Sequence, residues 1–238
     1  MINIFDSFSS EDTDELMQGV YTGFVTDNKD PEKLGRVKVN IPVIDDQKEL
    51  DWSRIVTWMG GKSRGALFIP EVGDEVLVAF LLGDIRSPIV IGSLWNDVEK
   101  PPEGKNDNND IRKIRTRAGH EIAFNDTNKE GSISITTAEG YQLELDDKGK
   151  TVQLATKNKE QKLTMNSTSG NITVSSGSTK VTIDKSGSIK LEGSAEITLK
   201  AMAVKIQADS KLELKANASI DINSGGLINI KGAMVKIN

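Results

Sequence analysis

From Ile133 onward the aliphatic residues come in pairs separated by one polar or small residue. The pairs are Ile133/Ile135, Leu143/Leu145, Val152/Leu154, Leu163/Met165, Ile172/Val174, Val181/Ile183, Ile189/Leu191, Ile197/Leu199, Val204/Ile206, Leu212/Leu214, Ile220/Ile222, Ile228/Ile230 and Val235/Ile237. An i, i+2 pair puts both side chains on one face of a strand and the residue between them on the other. Thr173, Lys190, Glu213 and Asn229, which stand between, suit water. Gly, Ser, Asn, Asp, Thr, Lys and Ala separate the pairs. No window carries an i, i+3, i+4, i+7 stripe, which excludes helix. The spacing runs from 9 to 11 residues at first and tightens to 7 or 8 toward the C-terminus. Such regularity predicts a solenoid or an intertwined fibre of short strands.

Upstream the pattern changes. Five short β runs at 20–26, 36–41, 53–58, 75–80 and 88–92 are divided by turn signals such as Asp27-Asn28-Lys29-Asp30-Pro31. Five strands in so short a stretch predict a small barrel of the OB type over 19–97. A polar linker follows at 98–110, with Pro101-Pro102, Gly104 and the run Asn106 to Asp110. Residues 111–140 read as a β neck and 141–238 as the repeat proper. Residues 1–18 read as a flexible or partner-contacting tail, acidic at Asp6, Glu11, Asp12, Asp14 and Glu15 and apolar at Ile4, Phe5 and Phe8.

For the repeat, two forms compete: a single chain coiled on itself, and three chains wound together. From Leu143 onward every inward residue is Leu, Ile, Val or Met. Two aliphatics per strand fill a narrow prism, which favours the triple-stranded form. Burial of one chain's pairs falls short of the entropy of ordering so long a backbone, so pairing with other chains is expected. The candidate trimer core is the set of pairs from Ile172/Val174 to Ile228/Ile230. Thirteen repeats advancing ~4.8 Å each predict a rod about 60 Å long.

Composition sharpens the division. All eleven aromatics lie at or before Tyr141, all six prolines at or before Pro102 and all seven arginines at or before Arg117. Residues 1–140 carry a net charge of −9 and residues 141–238 a net charge of +4. The whole chain, at −5, offers no general attraction to nucleic acid. The chain has no cysteine, which excludes disulfide frameworks and thiolate metal sites. No secretory leader and no membrane-spanning segment is expected, the longest apolar run being 76–82. Assembly in the producer cytoplasm is the corresponding expectation.

Four ordered stretches resemble a known group. They are Gly35-Arg36-Val37-Lys38-Val39, Gly65-Ala66-Leu67-Phe68-Ile69-Pro70-Glu71-Val72-Gly73-Asp74-Glu75-Val76-Leu77-Val78, Gly83-Asp84-Ile85-Arg86-Ser87-Pro88-Ile89-Val90-Ile91-Gly92-Ser93-Leu94-Trp95-Asn96 and Arg115-Thr116-Arg117-Ala118-Gly119-His120-Glu121-Ile122-Ala123-Phe124-Asn125-Asp126. Together they resemble the central spike proteins of contractile injection machines, namely the baseplate assembly protein V type and the C-terminal part of VgrG proteins. The resemblance implies an all-β homotrimer with an N-terminal OB-fold barrel followed by an intertwined triple-stranded β-helix needle. It implies a non-enzymatic spike that seats on a baseplate hub and pierces the target envelope, as part of a phage tail, tailocin or extracellular injection system. Only about 18 residues precede the barrel, so the hub is expected to be a separate protein. The short linker leaves no room for a muramidase. With no terminal His-x-His, the end looks blunt, and Val235, Ile237 and Asn238 become candidate docking residues for a PAAR-type tip protein. Two alternatives stand beside this one. One is a VgrG-like carrier of an effector or PAAR protein. The other is a β-helical receptor-binding fibre, which would need a recognition domain.

Several motifs invite chemistry. Gly61-Lys62-Ser63-Arg64-Gly65 has the Gly-x-Ser-x-Gly pattern, but that motif needs a strand, a turn and a helix, and here a strand follows. Gly60-Gly61-Lys62-Ser63 lacks the earlier glycine of a phosphate loop. His120, the sole histidine, sits in a turn entering a strand, and Asp146-Asp147 in a turn before Gly149. The barrel lacks the basic, aromatic groove of a single-strand binder. The outer Lys190, Glu192, Lys200 and Lys205 read as a solvated face. No catalytic residue, metal or cofactor is expected.

Overall fold

A computed structural model of one chain describes residues 16–104 and 107–237. The acidic tail 1–15 and Asn238 lie outside them. The described chain is all β, with no α-helix and a single 3-10 turn at Leu81–Gly83. No helix among the described residues is long and apolar enough to cross a membrane.

The first sheet has six strands: β1 (Val20–Asp27), β2 (Lys38–Ile41), β3 (Asp45–Glu49), β4 (Arg54–Ile55), β7 (Glu75–Phe80) and β8 (Pro88–Ser93). Between them β5 (Gly60–Gly61) and β6 (Arg64–Gly65) form a separate hairpin. The order is β3-β2-β1-β7-β8-β4. Strict alternation decides which side faces in. In β7, Val76, Val78 and Phe80 are buried, and in β2, Val39 and Ile41. They meet Val25, Val37, Leu50 and Val90 in one core, each fully buried aliphatic contributing roughly 1.5–3 kcal/mol. The sheet closes on itself at Val37 and Ser53, whose backbones exchange hydrogen bonds of 3.1 and 2.7 Å. Closure removes an open edge beside β4, which pairs in parallel with β8. A close backbone approach requires Gly23 in β1, where a Cβ would sit 2.7 Å from the Asn40 carbonyl oxygen.

The second sheet is a nine-stranded antiparallel meander. Its strands are β9 (Ile111–Arg115), β10 (Glu121–Asn125), β11 (Ser132–Thr136), β12 (Gln142–Asp146), β13 (Thr151–Ala155), β14 (Gln161–Asn166), β15 (Asn171–Ser176), β16 (Thr179–Ile183) and β17 (Ile189–Glu192). Short polar side chains close most of its hairpins. Thr116 and Thr137 accept from the N–H groups of His120 and Tyr141. Asn125, Asp146, Asn166 and Asp184 accept from the N–H groups of Thr127, Gly149, Ser169 and Ser186. These are the local bonds that turn-forming residues make with their own backbone.

Two features of the single chain add to the expectations. Over 141–192 each strand pairs with the strands before and after it in the same chain. The capped hairpins return the chain antiparallel, so a local partner is reached first. Pairing also runs unbroken past residue 140, with Ile135 opposite Leu143. Beyond β17 no further strand pairing occurs among the described residues. Residues 193–237 are extended, bend at 194–195, 202, 209–210, 217–218, 225–226 and 233, and hold no assigned strand.

Candidate functional site

Register places the aliphatic pairs of the meander in two continuous rows. One row runs Ile114, Ile122, Ile135, Leu143, Leu154, Leu163, Val174, Val181, Leu191. The other runs Phe124, Ile133, Leu145, Val152, Met165, Ile172, Ile183, Ile189. Side by side they make an apolar stripe two residues wide along one face of eight strands, extended into β9 by Ile114 alone, where Arg112 stands opposite Phe124. The sequence pairs begin at Ile133, so Ile114, Ile122 and Phe124 are additions. Ile122 and Phe124 carry the same i, i+2 signal around Ala123.

This stripe has no cover among the described residues. Leu154 is 50% exposed and Ile189 68%. The residues between the aliphatics, such as Ser134, Gln153 and Thr173, are half-buried. Exposure is therefore inverted relative to a sheet that packs on its own domain. The accessible area of the chain is 19901 Å². A compact monomer of this mass would expose about 10,500 Å². Continuous apolar surface on this scale marks an association surface.

The candidate core residues of the distal segment follow suit. Ile197, Leu199, Val204, Ile206, Leu212, Leu214, Ile220, Ile222, Ile228 and Ile230 are all exposed, as are Val235 and Ile237 at the end. The bends fall between successive pairs, on small residues such as Ser194-Ala195, Asn217-Ala218 and Gly225-Gly226. On the outer side, Lys190 pairs with Glu192 at 2.6 Å, and Glu213 pairs with Lys211 and Lys215.

The barrel carries a second exposed patch. Trp58 and Phe68 stack at 5.7 Å beside the β5–β6 hairpin, next to Met59 and Leu67. Trp58 is 84% exposed. From residue 52 to residue 70 there is no acidic side chain, while Arg54, Lys62 and Arg64 are basic. Sequence reading missed this pair, and its signal was an acid-free stretch in an acidic half.

One contact ties the second sheet to the barrel segment and another ties it to the linker. Arg117 bonds Glu71 at 2.8 Å. Lys113 in β9 is gripped by Glu103 of the linker at 2.8 Å and by Glu121 at 3.2 Å. Glu103 first, then Glu121, holds the Lys113 ammonium above its ordinary range.

The chemistry-like motifs have structural placements. Ser63 lies in the turn between β5 and β6, and Gly65 has a φ of +154° with the Met59 carbonyl oxygen 2.6 Å from where a Cβ would stand. The Gly-x-Ser-x-Gly spacing is thus a hairpin. His120 Nδ1 accepts from the Ala138 N–H at 3.1 Å, linking two adjacent hairpin turns. The Asp146 carboxylate closes the β12–β13 turn.

Residues 21–95 match the Type VI secretion system/phage-baseplate injector OB domain. The matched region is structural rather than enzymatic. The chain is 30% identical over 99 residues to the Type VI secretion system spike protein VgrG3 of Vibrio cholerae, covering 40% of this chain and 10% of that protein. It is 38% identical over 88 residues to the spike protein VgrG5 of Pseudomonas aeruginosa, covering 35% and 11%. With the spike protein VgrG2a of the same organism it shares 28% over 118 residues, covering 46% and 14%. The chain thus spans about a tenth of the length of these curated relatives. The resemblance to VgrG and baseplate spike proteins is borne out by these matches.

Proposed function

We propose that the chain is the structural central spike of a contractile injection machine, attached to a baseplate hub and driven through the target envelope. Three copies cover one another's apolar stripes, and the distal segments wind together as a triple-stranded β-helix. The barrel (19–97) seats on the hub, the linker (98–110) and neck (111–140) carry load outward, and 141–238 forms the needle. The carrying observation is the uncovered apolar stripe running on from an injector-type barrel. A stripe of that length suits repeated copies of itself far better than a pocket-sized ligand, and three flat faces close a prism with no open side. The trimer is not an enzyme and needs no cofactor. Assembly takes place in the producer cytoplasm.

The hub's contact surface is the Trp58–Phe68 patch, with its basic neighbours. Exposed aromatics with large apolar area are the usual anchors of such contacts. Trp58→Ala with Phe68→Ala is expected to leave the trimer intact and weaken capture by the purified hub about tenfold or more. Unchanged capture contradicts that placement. Val235 and Ile237 are docking residues for a PAAR-type tip protein, with Asn238 outside the described residues, and Ile237→Asp is expected to abolish tip capture.

The test of the function is made on sheathed particles from the producing cell. Three copies of the chain per particle, on the tail axis beyond the tube, are expected by cryo-electron microscopy. Sheathed particles that lack the chain yet still puncture cells would contradict the reading. A second reading, a VgrG-like carrier of a PAAR protein or effector, is favoured by the spike relatives, which come from type VI systems. An effector fused to or co-purifying with the tip would select it. A receptor-binding fibre is the weakest reading, since the matched domain is of the injector type.

A further inference from the structure

We propose that residues 1–15 dock on the Trp58–Phe68 patch of their own chain, as an acidic, phenylalanine-bearing segment that shields the patch until the hub takes its place. The docking rests on the unpaired cations and exposed aromatics of the barrel. Its consequence, competition with the hub, rests on the hub reading above.

Arginine pairing singles out the patch. Arg36, Arg86, Arg112, Arg115 and Arg117 each reach a carboxylate. The other two arginines, Arg54 and Arg64, have no acidic partner among the described residues, and neither has Lys62. All three are exposed. The patch thus joins three unanswered cations to the uncovered apolar surface of Trp58, Met59, Leu67 and Phe68. A fitting occupant carries carboxylates and large apolar side chains together, since complementary charge selects the partner and apolar anchors hold it. Residues 1–15, which lie outside the described residues, have that composition. They hold the acids Asp6, Glu11, Asp12, Asp14 and Glu15, no base, and the apolar Ile2, Ile4, Phe5 and Phe8. Their reach is sufficient. Met17 donates its N–H to the Gly83 carbonyl at 2.9 Å, which fixes the chain just after them on the 81–83 turn. The patch lies beyond β4, which runs parallel to β8 and away from that turn, so the path is about the length of β8, ~20 Å. Fifteen extended residues span up to about 50 Å. Tethering makes the contact intramolecular, so weak docking is enough to cover the patch.

The chain lacks cysteine, so introduced thiols have no background. In the full-length chain, Ser9→Cys with Ser63→Cys puts one thiol in the tail and one in the turn between β5 and β6. Ser9→Cys with Ser169→Cys is the control, its second thiol lying in the turn between β14 and β15. Each variant is treated in native buffer with a short bis-maleimide, boiled in detergent and digested for mass spectrometry. The 9/63 variant is expected to link within one chain and the 9/169 variant to stay unlinked. Adding Trp58→Ala and Phe68→Ala to the 9/63 variant is expected to cut the linkage about fivefold or more. Equal linkage in the two variants, linkage between chains, or linkage indifferent to the patch substitutions overturns the docking. Capture by the purified hub is read separately. Phe5→Ala with Phe8→Ala is expected to raise it about fivefold, because the patch is then free in a larger fraction of chains. Lower capture makes the tail a hub contact and overturns the shielding. Unchanged capture, where the 9/63 linkage is present, leaves the docking and overturns the competition. A Trp58→Ala, Phe68→Ala chain that loses the linkage but keeps full hub capture leaves the docking and overturns the hub reading.

Discussion

Asp30 shows how much one side chain organises. Its carboxylate accepts from Arg36 Nε at 3.0 Å and from an Arg36 terminal nitrogen at 2.8 Å. It also accepts from the N–H groups of Glu32, Leu34 and Arg36. The Arg36 guanidinium, helped by those N–H groups, holds the carboxyl well below the usual carboxylate range. A folded value below the unfolded value of about 3.9 means the stabilisation is complete above that pH and lost as pH falls further. Asp30→Asn is therefore expected to lower the melting temperature at neutral pH and to flatten its decline below about pH 4. A decline as steep as the parent's would assign the acid sensitivity elsewhere. Gly23 makes a second case. Gly23→Val forces a Cβ against the Asn40 carbonyl and is expected to destabilise the barrel by about 1–3 kcal/mol, read by denaturant unfolding. At this scale the sequence was informative about turns. Asp30 before Pro31 and the Thr, Asn and Asp hairpin closers are visible as residue types. The closure of the barrel through Val37 and Ser53 was not, because a two-residue bridge leaves no periodic trace.

The meander shows where pattern reading succeeds and where it stops. Every pair from Ile133/Ile135 to Ile189/Leu191 falls on one face of the sheet, as period-two alternation requires. What alternation does not carry is the identity of the partner strand. Leu163 can sit beside Leu154 of its own chain or beside a neighbour's strand with the same inward face. The spacing held part of the answer: intervals of 9 to 11 leave room for a hairpin with its polar closer, the interval of 8 from Val181 to Ile189 still closes one through Asp184, and only the intervals of 7 or 8 after Leu191 lead into bare corners rich in Ser, Ala and Gly. The uncovered stripe makes a direct prediction. Leu163→Lys sets an ammonium into the middle of the seam in each copy. An unpaired buried charge costs several kcal/mol, so assembly should fail, with the barrel still folded by its own core. Thr164→Lys, on the opposite face, should leave assembly unchanged. Equal behaviour of the two variants in sedimentation would show that the stripe is not the contact surface.

For the whole molecule, one chain is an incomplete object. The barrel has a closed sheet and a shared core, the meander has half of a core, and 193–237 has inward pairs with nothing to face. Stability and association are thus linked, and melting should rise with protein concentration as mass action requires. The division of charge fits this order. The acidic barrel half and the lysine-bearing outer rows stay hydrated while the aliphatics turn inward. No single residue performs the work of such a device. In the proposed assembly it lies in stiffness, which three copies sharing one seam would supply. Sedimentation of the intact chain in native buffer tests that most directly: a particle of about 78 kDa, three times the 25.9 kDa chain, is the predicted result, and a stable, folded species of 25.9 kDa would contradict it.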